Sequence, residues 1–160
     1  MSPHSPGDTA PSDLSIVERN EQLVREYFEA VWNEGNMSVF DTALVSDDYV
    51  MHHQSDTEYS LADLRTAWTD WHLGFPDLSN EIKDLIATEN RVVIRYRFSG
   101  THEGPVMDVP ATGRRVETVG IVIFRIEDGQ LVEEWAMDDI VALLEQLGEL
   151  GEATPSITEP

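Results

Sequence analysis

The feature that most constrains this chain is a change of period near residue 78. Before it, apolar residues recur at helical steps; after it, they alternate with polar ones as strands require. Leu23, Val24, Tyr27, Phe28, Val31 and Trp32 form a helical stripe that ends before Gly35. It follows Ser15-Ile16-Val17-Glu18, which has capping-box spacing. Met37, Phe40 and Leu44 mark a short second helix. A third opens on the pair Ser60 and Asp63 and carries Leu61, Leu64, Trp68, Trp71 and Phe75 at steps of three or four, closed by Gly74 and Pro76.

Beyond residue 78, Val92, Ile94, Tyr96 and Phe98 alternate with Arg91, Val93, Arg95 and Arg97, a half-exposed strand. Val116–Ile126 is apolar on both faces at its centre, as in a strand covered on both sides. Glu127-Asp128-Gly129 is a hairpin signal leading into Leu131–Met137. Asn80–Ala87 and Tyr49–His53 are further strands, and Ile140–Leu147 returns to helical spacing. Helices first and antiparallel strands afterwards imply an α+β domain, its helices packed on one face of a strongly curved sheet. Residues 1–13, with three prolines, read as a disordered leader, 14–148 as the domain and 149–160 as a flexible tail.

Composition narrows the function. At 160 residues the length fits one domain, and 41% apolar residues can fill its core. Against that stand 31 acidic and 10 basic residues, a formal charge of −21. A surface this negative repels phosphates, so nucleic acid and anionic membrane are not expected partners. No apolar run is long enough to span a bilayer and no signal peptide is read at the N-terminus, so the expected location is cytoplasmic. The absence of cysteine excludes disulfides, thiolate metal sites and a cysteine nucleophile. Lys83 is the single lysine, and carboxylates are spread along the whole chain. That pattern fits a protein from a high-salt cytoplasm, where concentrated salt screens self-repulsion.

Several segments carry a family resemblance: Phe28-Glu29-Ala30-Val31-Trp32-Asn33-Glu34-Gly35-Asn36, Asp48-Tyr49-Val50-Met51-His52, Phe75-Pro76-Asp77-Leu78 and Gly100-Thr101-His102-Glu103-Gly104. They continue in Pro110-Ala111-Thr112-Gly113-Arg114-Arg115-Val116, Ile123-Phe124-Arg125, Asp128-Gly129 and Leu143-Leu144-Glu145-Gln146-Leu147-Gly148. In this order and spacing the chain resembles the SnoaL-like polyketide cyclases, or ester cyclases, of the NTF2-like superfamily. The resemblance implies a cone-shaped fold with a deep apolar pocket for a small apolar molecule. It also implies a homodimer or tetramer built through the sheet. The cyclases use no metal or other cofactor: an aspartate removes a proton beside a carbonyl, and polar neighbours stabilise the enolate.

The chain departs from that pattern where the chemistry lies. Counting back from Gln146-Leu147-Gly148, Glu134 stands where the cyclases have a histidine and Ala136 where they have the catalytic aspartate. Their asparagine falls on Met51, and their glutamine and histidine of the preceding strand fall on Gly120 and Val122. If Ala136 faces the pocket, period two puts Glu134 and Asp138 there too, as candidate bases near Trp68, Trp71, Phe75 and Tyr96. The competing readings are an ion pair of Glu134 with Arg95 or Arg97, and a helix-capping role for Asp138. Asp139 lines the pocket or caps the last helix.

His52 and His53 must face opposite sides of their strand, and the family position favours His52 as an acid or hydrogen-bond donor. His102, Val106 and Met107 belong to an expected rim or lid, and His72 to the surface. Trp135, Leu131 and Met137, with Ile121 and Ile123, are expected on the outer face of the sheet, where a second subunit is the simplest cover. Three functions follow as alternatives: cofactor-free acid–base chemistry on a carbonyl or ester compound, non-catalytic binding of a small ligand, or an isomerase or epoxide hydrolase on the same fold.

Overall fold

The computed structural model describes residues 14–150. The expected leader and nearly all of the expected tail lie outside these residues. Helix α1 (Ile16–Phe28) begins at Ser15, whose side chain accepts the Glu18 N–H at 3.2 Å. The stripe does not stay α-helical to Gly35: Glu29–Asn33 loosens into a π-helical turn. There the Asn33 side chain leaves the helix and binds both backbone groups of Asn80 (donating to its carbonyl at 2.9 Å and accepting from its N–H at 2.8 Å). The expected second helix is only a 3-10 turn, Met37–Asp41, and Leu44 lies beyond it.

Strand β1 (Val45–His53) is longer than its apolar pattern suggests, and it pairs with β2 (Glu58–Ser60), which has no hydrophobic signal of its own. Helix α2 (Leu61–Gly74) starts with a complete Ser60–Asp63 capping box. The remaining elements are β3 (Ser79–Ala87), β4 (Arg91–Thr101), β5 (Arg115–Glu127), β6 (Gln130–Asp138) and α3 (Ile140–Gln146). Asp128 and Gly129, at φ 50° and 74°, form the β5–β6 turn, whose positive angles match the twist of the strands it joins.

The sheet order is β2-β1-β6-β5-β4-β3. All neighbours are antiparallel except β1 and β6, which run parallel, so the sheet is mixed. The helices cover one face, and Val24, Tyr27 and Phe28 of α1, with Val31 of the π-helical turn, are buried in the core they form with it. Tyr27 meets Phe124 edge-on at 5.8 Å. Burying one such aromatic or aliphatic side chain stabilises the fold by about 1.5–3 kcal/mol.

On the opposite, outer face Ile121 is 49% and Met137 63% exposed, and Val119 and Ile123 lie open beside them. No described residue therefore covers the second face of β5. Leu131 does not join them. The β5–β6 register shifts between Arg125 and Ile126, and this irregularity reverses the alternation and turns Leu131 into the core.

Candidate functional site

The inner face of β6 carries Glu134, Ala136 and Asp138, and each lies in a row of inward residues across the sheet. Met51 and Phe124 flank Glu134, His53 and Val122 flank Ala136, and Gly120 sits beside Asp138 with Tyr96 beyond it. Between these rows and the helices is a chamber of about 60 Å³, lined by Tyr27, Phe28, Trp32, Met51, Trp68, Trp71, Asn80, Tyr96, Phe98, Val122, Glu134, Ala136, Asp138 and Asp139, among others. It adjoins a vestibule of about 390 Å³ lined by His53, Gln54, Ser55, Tyr59, Leu64 and Met107. Met51, Trp68, Trp71, Asp138 and Ile140 border both spaces.

Glu134 is the buried charge of the site, only 4% exposed. The arginines considered as its partners are engaged elsewhere, Arg95 with Asp84 and Arg97 with Glu117. Burial pushes its carboxyl from the usual 4.5 up to about 7, partly offset by the Tyr49 hydroxyl. Tyr49 and Tyr27 are both raised well above their ordinary value, by burial first and by the Glu134 charge second. No hydrogen bond of good geometry reaches the buried Tyr49 hydroxyl, although it lies close enough to Glu134 for each to influence the other. A carboxyl poised near neutrality in an apolar chamber can both take and return a proton at physiological pH.

Asp138 is more open, its side chain 29% exposed. It does not cap the last helix. It accepts a hydrogen bond from the Tyr96 hydroxyl, and one carboxylate oxygen lies 3.7 Å from His53 Nε2. The cap is Asp139, which accepts the Ala142 N–H at 3.0 Å while also bordering the chamber.

Other expected placements differ. His52 lies on the outer face, with Nε2 2.6 Å from Glu133 and its ring stacked on Trp135 at 5.3 Å. The alternation that turns Met51 inward turns His53 inward too and His52 away. His102 is not at a rim: it is fully buried, bonded through Nδ1 to Thr112 and packed on Phe75. Phe75 is fully buried behind the chamber, edge-on to Phe98 at 5.1 Å, and does not line it. Val106 is buried; of the expected lid only Met107 reaches the vestibule. His72 is half-buried and bonds the Val31 carbonyl at 2.8 Å, holding α2 to the end of α1.

The residues missed by sequence reasoning are Tyr27, Tyr49, His53 and Asn80. For Tyr49 and His53 the signal was present, because each is two residues from Met51. Among the described residues no group of three His, Asp or Glu is placed to hold a metal ion, and no helix is long and apolar enough to cross a membrane.

Three helices closing the concave face of a six-stranded mixed sheet over an apolar chamber define an α+β pocket protein of the NTF2-like cone type. A sequence profile of the SnoaL-like polyketide cyclases matches residues 22–147, and the chain belongs to that family. Among solved structures, AclR from Streptomyces galilaeus, described as a candidate hydroxylase, is 33% identical with a TM-score of 0.75, over 85% of this chain and 99% of that one. TsrD from Streptomyces laurentii is 34% identical with a TM-score of 0.73, over 83% and 97%. IdmH from Streptomyces antibioticus, described as a candidate polyketide cyclase, is 28% identical with a TM-score of 0.71, over 80% and 97%. Comparison with curated proteins finds no significant match.

Proposed function

We propose that the chamber performs cofactor-free acid–base chemistry on a small apolar carbonyl compound, with Glu134 as the group that carries the proton. The observation that supports this is the Glu134 carboxyl, buried in an apolar chamber with no ion pair among the described residues and its pKa raised to about 7. Glu134 would then take the place of the aspartate for which Ala136 stands. The test is deuterium incorporation beside the carbonyl of 2-tetralone in heavy water, followed by proton NMR. The native protein exceeds the buffer rate, and Glu134→Gln returns to it while its melting temperature is retained. Native protein at the buffer rate favours a second reading, a non-catalytic binder, which the replacement of the cyclase aspartate by Ala136 supports.

The same reading takes residues 14–148 as the working domain in a cytoplasm of high salt. Its outer sheet face, with Ile121, Ile123 and Met137 exposed, is the surface for a second copy. Ile121→Asp would then shift the sedimentation coefficient to that of a monomer, and an unchanged value would remove the dimer from the proposal.

A further inference from the structure

Glu134 is not the only carboxylate on the inner face of β6. Asp138 lies four residues further along, a displacement of roughly 13 Å at strand rise. Its partner Tyr96 belongs to β4, which is not a neighbour of β6. Strand β5 runs between them, and the residue in register with both is Gly120. Two side chains can meet across an intervening strand only where that strand presents none. A Cβ at position 120 would lie 2.5 Å from Tyr96 Cζ and 2.7 Å from Asp138 Oδ1, in the space where the pair meets.

Asp138 is also held from the vestibule side. His53 Nε2 is 3.7 Å from its second oxygen, and its backbone N–H donates to Gln54 Oε1 at 2.6 Å. The single hydrogen of the Tyr96 hydroxyl is thus committed to a carboxylate, so the phenol offers the chamber oxygen lone pairs and no donor. A second acceptor shares the chamber: Asn80 is buried, and its Oδ1 has no partner. An apolar ligand with only acceptor groups leaves both unpaired, which is costly in a dry site.

We propose that Tyr96 and Asp138 form a hydrogen-bond-accepting dyad at the mouth of the chamber, that Gly120 is the positioning residue that lets them meet, and that the dyad selects ligands presenting a hydroxyl or enol O–H. This rests on the reading of the chamber as a small-molecule site. It narrows the ligand from any apolar carbonyl compound to one that also carries, or enolises to, an O–H. In the reaction the ligand's O–H proton passes to Tyr96 Oη as the Tyr96 proton passes to Asp138, leaving a ligand oxyanion hydrogen-bonded to a neutral phenol.

The test uses two probes of similar size, phenol and toluene, with dissociation constants read from the indole N–H resonances of Trp68 and Trp71. The quantity of interest is the ratio of the toluene constant to the phenol constant. Tyr96→Phe is expected to lower this ratio about fivefold or more, the equivalent of roughly 1 kcal/mol for one hydrogen bond. Gly120→Ala is expected to lower it in the same direction. The atoms the new methyl meets are side-chain ends that can swing aside, so the fold survives. A ratio unmoved in both variants, with both probes bound, overturns the dyad and leaves the pocket reading standing. Binding of neither probe to the native protein overturns both. A deuterium-exchange failure at Glu134 bears on the proton carrier alone.

Discussion

Tyr49 and Glu134, both buried and within reach of one another, each favour the same state of the other: the phenol neutral and the carboxyl charged. Burial raises both groups; the carboxylate's charge raises the phenol further, and the phenol hydroxyl draws the carboxyl part of the way back. The pair therefore holds Glu134 nearer to neutral pH than burial alone would leave it.

Removal of that hydroxyl should release the restraint. In Tyr49→Phe the Glu134 titration moves upward from about 7, visible as a shift of the carboxyl carbon resonance with pH. A downward move would show that the hydroxyl does not favour the charged form.

Glu134 also makes stability depend on pH. Its folded pKa lies above the unfolded value, so between about pH 4.5 and 7 the folded chain keeps a proton the unfolded chain has lost. Stability therefore falls as pH rises through that window and levels off above it. The contribution lost from pH 5 to pH 8 is about 2–3 kcal/mol. Urea unfolding of Glu134→Gln at the two pH values should lack this part of the native decline, and equal declines would contradict the shifted pKa.

The outer-face histidine gives a control on placement. Burial opposes ionisation of Glu133, but His52 and Arg125 outweigh it and hold the carboxyl below its usual range. His52→Gln removes one partner, costing roughly 1 kcal/mol of stability. Phenol and toluene should bind as before. Loss of binding would place His52 in the pocket after all.

Asn33→Ala tests the link between the first helix and the sheet edge. The variant leaves the Asn80 N–H and carbonyl without their partners, and urea denaturation should show a loss of about 2 kcal/mol. A loss well under 1 kcal/mol would mean that water replaces the amide.

The charge of −21 predicts a melting temperature that climbs between low and molar salt as repulsion is screened. Calorimetry at a series of sodium chloride concentrations reads this directly, and a flat series would leave the acidity without that meaning.

Period alone located α1, α2, the cores of β3 to β6 and the last helix, because each buries one face and its pattern repeats along that face. Pairing was less legible. The parallel contact of β1 with β6 joins segments some eighty residues apart, and β2 forms only because β1 supplies a ladder for it. Leu131 and His102 show two further limits. One irregular pairing reverses a face without leaving a hydrophobic signature, and a buried histidine looks the same in sequence as an exposed one. Glu134 and Asp138 were found by alternation from Ala136, but their different surroundings come from helices and strands distant in sequence. His53 was within reach of the same alternation, and family position pointed to its neighbour instead.

The placement of β6 between β1 and β5 has a consequence for biosynthesis. This strand leaves the ribosome after the five other strands, yet it is interior to the sheet and carries Glu134, Ala136 and Asp138. Until it docks, a nascent chain presents two open strand edges, on β1 and β5, and holds Tyr27, Tyr49 and Tyr96 around a gap. Every earlier stage of synthesis therefore lacks the inward carboxyls of β6 and is at its most adhesive, and both conditions end together when one hairpin closes.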